Sequence, residues 1–208
     1  MKTTVISANA SDAIQNAYDV LKRGGLVAFP TDTVYGVGAL AFDGKAVESI
    51  YVAKDRPAEK AIPILIAEIM DLEKVASKIS ITTRRLASRF WPGPLTCIIP
   101  KSPLLPSAVS AIDTVGVRIP DFAVTRILLR LTGPMAVTSA NISDQPSPNT
   151  AEEVLAQLDG RIPLIIDGGR TPGGIPSTVV DCSSQEIKVL REGPISREEI
   201  LDLLKKPR

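Results

Sequence analysis

Residues 29–38 read FPTDTVYGVG and place Thr31, Asp32, Thr33 and Tyr35 directly behind the apolar run of residues 26–29. A turn needs one or two polar residues with backbone roles, whereas three hydroxyls this close together supply side chains that can hydrogen-bond a small polar ligand. The rival reading is a tight strand-to-loop turn in which Gly36 and Gly38 take positive φ and the threonines cap. Lys54, Arg56 and Lys60 fall at the end of a predicted helix and in the proline-broken loop beyond it. They either complement the helix dipole or face a polyanion, and the alternating spacing of Lys54 and Arg56 predicts that the two project the same way. Arg118 lies within the apolar run TVGVRIP, where a guanidinium must snorkel, pair with a carboxylate or face a cavity. Ser139 and Asn141, in TSAN, follow a strand-like run at the end where open α/β sheets bind ligands, or form a plain turn. Ser177 enters a strand after the glycine-rich 168–174 segment, which matches neither a P-loop nor a dinucleotide fingerprint; Arg191 ends the last strand, close to Gly193.

Composition narrows the chemistry. The 208 residues contain no histidine, which removes the Ser-His-Asp triad, an imidazole base and His-ligated zinc. Cys97 and Cys182 lie in apolar segments and read as buried thiols. With Lys+Arg 24 against Asp+Glu 23, no overall field draws the chain to nucleic acid or to an anionic membrane. The apolar runs fall short of a membrane span and the start has no secretory pattern, so a cytoplasmic protein without membrane contact is expected. Cations and hydroxyls at several strand ends suit a phosphate-bearing ligand held beside a small polar one. Displacement at phosphorus is catalysed mostly by positioning and charge stabilisation, and it needs no imidazole.

The elements that must position these groups alternate along the chain. Helices are predicted from Ser11 as cap to Arg23, stopped by Gly24-Gly25, and from an Asp43 cap through Lys54, then over 82–90 and 124–131. Strands are predicted over 26–29, 62–66, 95–99, 115–119 and 135–138, and near 164–166, 178–181 and 187–190. Thr150 to Glu153 and Ser196 to Glu199 are capping boxes opening two further helices. This is an α/β pattern with a mixed parallel and antiparallel sheet, and no linker divides it, so residues 1–208 are expected to form one domain.

The segments PTDTVYG, KDRP, WPGPLT, GVRIP, TSAN, STVVD and LREG, in this order over nearly the whole chain, resemble the YrdC/TsaC family of threonylcarbamoyl-AMP synthases in its single-domain form. The resemblance implies a twisted sheet curled around a basic cavity. It also implies a nucleotidyltransferase that converts L-threonine, bicarbonate and ATP to threonylcarbamoyl-AMP and pyrophosphate. That product leads toward N6-threonylcarbamoyladenosine at position 37 of tRNA, through downstream tRNA threonylcarbamoyl transferase proteins, and contact with tRNA or double-stranded RNA is implied too. By resemblance, Thr33, Arg118 and Ser177 bind threonine, with Arg118 on its carboxylate. Lys54 and Arg56 are catalytic, offsetting phosphate charge, while Arg56, Lys60, Thr114, Ser139, Asn141, Ser147 and Arg191 bind ATP. Magnesium arrives with ATP and takes no protein side chain as ligand. Two positions depart from many relatives: Ala61 stands where a proline is common, and Leu65 lies near where some carry a histidine. The 168–174 loop or the C-terminal segment is expected to serve as lid, because the chain ends one helix beyond LREG.

Overall fold

Residues 2–184 and 186–205 are described by the computed structural model, and strands and helices alternate through them. After β1 (Thr4–Ser7), α1 (Ala13–Lys22) buries Ala13, Ala17 and Leu21, spaced four apart on one face. Its N-cap is Asp12 rather than the expected Ser11, and no side chain caps it. It stops at the two glycines as expected, in a Schellman arrangement: the Gly24 and Gly25 amides donate to Leu21 O and Val20 O, both at 3.0 Å, with Gly24 at φ 78°.

Next come β2 (Val27–Phe29) and β3 (Gly36–Leu40), an antiparallel pair. The second is a strand where the sequence offers a turn as one of two readings. Gly36 and Gly38 are absent from the glycines with positive φ; their role is space, because a Cβ at either would come within 2.7 Å of the Val137 side chain. Asp43 caps α2 (Gly44–Lys54) as expected, its Oδ1 accepting from the Ala46 amide at 3.1 Å. Asp43→Ala should therefore lower the unfolding free energy by about 1 kcal/mol. Urea denaturation would report this as a lower midpoint at unchanged slope.

The chain continues through β4 (Ile64–Leu65), a single 3₁₀ turn at Ile69–Asp71, α3 (Leu72–Val75), α4 (Ile81–Phe90), β5 (Leu95–Pro100) and β6 (Thr114–Arg118). Then follow α5 (Ala123–Thr132), β7 (Met135–Ser139), α6 (Ala151–Leu158), β8 (Leu164–Asp167), β9 (Thr178–Asp181), β10 (Lys188–Arg191) and α7 (Arg197–Lys205). The box at Ser196 and Glu199 is reciprocal, with amide-to-side-chain bonds of 3.2 and 2.9 Å. At Thr150 it is shifted: Thr150 accepts from the Glu153 amide, while the Glu153 carboxylate takes the Asn149 amide at 2.7 Å.

The strands form one mixed sheet in the order β1-β8-β2-β3-β7-β4-β6-β5-β9-β10. One face packs Val37, Ile64, Cys97 and Val117 against α2, α4, α6 and α7. On the other, Phe29, Leu65 and Val137 pack against Ala17 and Leu21 of α1 and Leu128 and Leu129 of α5. Alternation carries that second face on to Thr96, Ile98, Gly116 and Arg118, beyond these two helices, and there the sheet opens into a cavity. Among the described residues no helix is long and apolar enough to cross a membrane.

Candidate active site

The cavity has a volume of about 410 Å³, within the range that encloses small ligands. Strand residues reach it at every second position from β5 (Thr96, Ile98) and β6 (Gly116, Arg118), and as the consecutive Val137, Thr138 and Ser139 from β7. Ser177 and Val179 enter from β9 and Arg191 from the end of β10, while Thr31, Thr33 and Tyr35 come from the β2–β3 connection and Arg56, Ala61 and Ser147 from two loops. Among the described residues its wall holds three arginines and no carboxylate. A larger, more open groove at Gly24, Val52 and Arg161 is poorer in chemistry: Arg161 there is already engaged with Ala53 O and Asp55.

Arg118 meets two of its three sequence alternatives at once. Its guanidinium forms an ion pair with Asp32, donates to Thr33 Oγ1 at 3.0 Å through Nη1 and to Gly93 O at 3.0 Å through Nε, and still lines the cavity. Burial pulls its pKa down and Asp32 holds it up, so the cation persists. Asp32 Oδ1 also accepts from the Asp121 amide, while its buried Oδ2 has no partner among the described residues. Thr31 closes its own turn, accepting from the Thr33 amide and donating to Val34 O at 2.7 Å, whereas Thr33 turns its oxygen to Arg118. Ser177 Oγ pairs with Thr96 Oγ1 at 2.8 Å, and Arg191 donates to Ser177 O through Nε and Nη2 at 3.0 and 2.9 Å. Thr96 and Asp32 were not singled out as ligand contacts. The period-two pattern of LTCII could have placed Thr96 on the Arg118 face, but nothing local marks Asp32 as its partner.

Of the other expected site residues, Arg56 belongs to the cavity wall, whereas Lys54, Lys60, Asn141 and Thr114 stand around it. Lys54 is 1% exposed, and its ammonium donates to Ser139 O and Asn141 O. It does not project with Arg56, because Asp55 between them adopts φ 51° and turns the chain. Arg56 folds over its own loop, donating to Lys60 O at 3.0 Å and Ala61 O at 2.8 Å. Lys60 is exposed and pairs with Asp144 at 2.9 Å. Asn141 donates to Ile142 O and Gln145 O, fixing the turn that leads to Ser147, and Thr114 opens β6 opposite Pro100.

The 168–174 loop lies against the same region. Tyr35 Oη donates to Gly169 O at 2.8 Å and accepts from the Gly168 amide at 3.1 Å, and the Gly174 amide reaches Thr33 O at 2.8 Å. Burial pushes the Tyr35 pKa up to about 12; the Gly168 amide opposes this and the Asp167 charge adds to it. Between the ordinary tyrosine pKa and that value the folded state keeps a proton that the unfolded state has lost, so stability falls as pH rises from 10 to about 12. Tyr35→Phe should flatten that part of the stability curve relative to the parent protein, as denaturation at stepped pH would record.

A model of the Sua5/YciO/YrdC family, described as telomere recombination, matches residues 19–193. The chain belongs to the Sua5/YciO/YrdC family. Among its relatives, a threonylcarbamoyl-AMP synthase of Pyrococcus abyssi is 45% identical over 90% of this chain and 56% of that protein. Another, of Bacillus subtilis, is 43% identical over 90% of this chain and 55% of that protein. The crystal structure of P. abyssi Sua5 complexed with L-threonine superposes with a TM-score of 0.94 at 42% identity, covering 99% of this chain and 62% of that one. The chain thus spans about half the length of these two Sua5/YciO/YrdC relatives.

Proposed function

We propose that this chain is a nucleotidyltransferase that forms threonylcarbamoyl-AMP and pyrophosphate from L-threonine, bicarbonate and ATP, with residues 1–208 acting as one YrdC-like domain around a basic cavity. The observation that carries the reading is Arg118: a buried guanidinium with Thr33 and Asp32 as partners, open to a cavity that two further arginines share. Such a group suits the carboxylate of a small amino acid, and the hydroxyls of Thr33, Thr96 and Ser177 around it suit a substrate with a hydroxyl of its own. Support comes also from the L-threonine complex of a relative at 42% identity.

In the reaction, the threonine amine attacks carbon dioxide derived from bicarbonate, losing a proton and giving a carbamate. A carbamate oxygen then attacks the α-phosphorus of ATP, and the bond to the bridging oxygen of pyrophosphate breaks. Arg56 and Arg191 line the cavity where the phosphates would lie and offset their growing charge, with Lys60 within the same loop as Arg56. Ser139 and Ser147 contact the nucleotide from β7 and the loop beyond it. Thr114 and Asn141, outside the wall, support the nucleotide end. Magnesium would ride on the phosphate oxygens, where it would neutralise charge. On this reading the protein works in the cytoplasm and its product feeds tRNA threonylcarbamoyladenosine formation at position 37. Downstream transferase proteins take it up, and phosphate contacts hold tRNA or double-stranded RNA.

The test is pyrophosphate release from ATP with bicarbonate, comparing threonine, serine, no amino acid and carbamoyl phosphate. Threonine-dependent release is expected. Release driven only by carbamoyl phosphate, or none beside tight salt-sensitive RNA binding, would replace the reading with a carbamoyl-adenylate enzyme or a binding module.

A further inference from the structure

Lys54 is among the largest fully buried side chains of the protein, although it ends in an amine. It is absent from the cavity wall although Arg56, two residues on, belongs to it. Its ammonium reaches the main-chain oxygens of Ser139 and Asn141, and its own main-chain oxygen accepts from the Ser143 amide at 2.8 Å. One residue thus ties the end of α2 to the 139–143 segment through both side chain and backbone. Burial, with Arg56 adding to it, pushes the Lys54 pKa down to about 7. A cation so placed is retained only by acceptors that replace its water, and the two carbonyls are those acceptors. The same segment carries Ser139 into the cavity, and the Ala140 amide closes it onto Tyr35 O at 2.8 Å.

We propose that Lys54 is a positioning residue: its ammonium fixes the Ser139–Asn141 main chain and so presents Ser139 to the cavity, while contact with phosphate falls to the arginines. The proposal rests on the nucleotide reading of the cavity only for its choice of probe. With Lys54 replaced by Met, two carbonyls lose their donor, and the segment loosens even though no cavity-facing group has been removed.

The experiment compares Lys54→Met with the parent protein by amide hydrogen exchange without ligand, and by ATP binding at stepped salt concentration. Exchange at Ala140 and Ser143 is expected to quicken by about tenfold or more, since two buried acceptors are left without their donor. ATP binding should weaken with an unchanged salt dependence, because no phosphate contact is lost. Parent-like exchange at both amides overturns the proposal, as does a shallower salt dependence, which marks a lost phosphate ligand. Should the variant not fold, nitrogen-15 spectra of the parent protein decide: an Arg56 side-chain signal that moves on adding ATP while the Lys54 ammonium stays supports the proposal, and the reverse overturns it. A parent protein that does not bind ATP refutes the proposed function, while the exchange result still decides the role of Lys54.

Discussion

Arg118→Met is expected to lower the unfolding free energy by about 3–5 kcal/mol and to abolish threonine-dependent pyrophosphate release. The stability loss follows from what remains. Asp32 is almost fully enclosed, its Oδ1 would keep only the Asp121 amide, and its Oδ2 already has no partner among the described residues. An uncompensated buried carboxylate costs far more than the ion pair ever contributed. The double substitution Arg118→Met/Asp32→Leu should then recover much of the stability, because the orphaned charge goes with its partner, yet restore none of the threonine dependence. Denaturant unfolding and the pyrophosphate assay on both variants separate the two roles. Threonine dependence surviving in Arg118→Met would remove the amino acid from this guanidinium, and a stability loss below about 1 kcal/mol would mean that Asp32 finds water.

Gly193→Ala should raise the threonine KM about tenfold or more while leaving the ATP KM less affected, and should cost about 1–3 kcal/mol of stability. The reason is spatial, since Gly193 is not among the glycines with positive φ. A Cβ there would lie 2.4 Å from Pro176 O, 2.7 Å from Thr178 N and 2.8 Å from the Ser177 carbonyl carbon, all main-chain atoms that no rotamer change can withdraw. The 176–178 segment must shift, and with it the Ser177 hydroxyl that pairs with Thr96 and the carbonyl that anchors Arg191. Steady-state kinetics with each substrate varied in turn would check this. An unchanged threonine KM would show that Ser177 does not form part of the amino-acid subsite.

Much of this architecture was legible in the residues, and the exceptions share a cause. The Asp43 cap, the glycine stop after α1 and the strands at 95–100 and 178–181 follow from local chemistry, and local chemistry decides them. Gly36 and Gly38 misled because a glycine-rich stretch after PTDT has the composition of a turn. What requires them is the Val137 side chain of a partner strand about a hundred residues away, and only the register reveals it. Lys54 and Arg56 misled in the same manner: two-residue spacing predicts a common direction only while the backbone is regular, and Asp55 interrupts it. At the site, the need for Arg118 to be paired or to face a cavity was readable from its apolar neighbours. The identity of its carboxylate was not, because Asp32 is 86 positions away in the chain.

The strand order also constrains the route by which the protein forms. β1 lies in parallel only beside β8, with Thr4 opposite Leu164, and β2 needs β8 on its other edge. During synthesis β1 therefore lacks its β8 partner until residues 164–167 have left the ribosome, and such long closures slow folding. At the far side, β9 joins β5 in parallel and brings Ser177, and β10 then adds Arg191. The cavity wall is thus completed by late-arriving segments, so a nascent chain can carry Thr33 and Arg118 well before Ser177 and Arg191 close the cavity beside them.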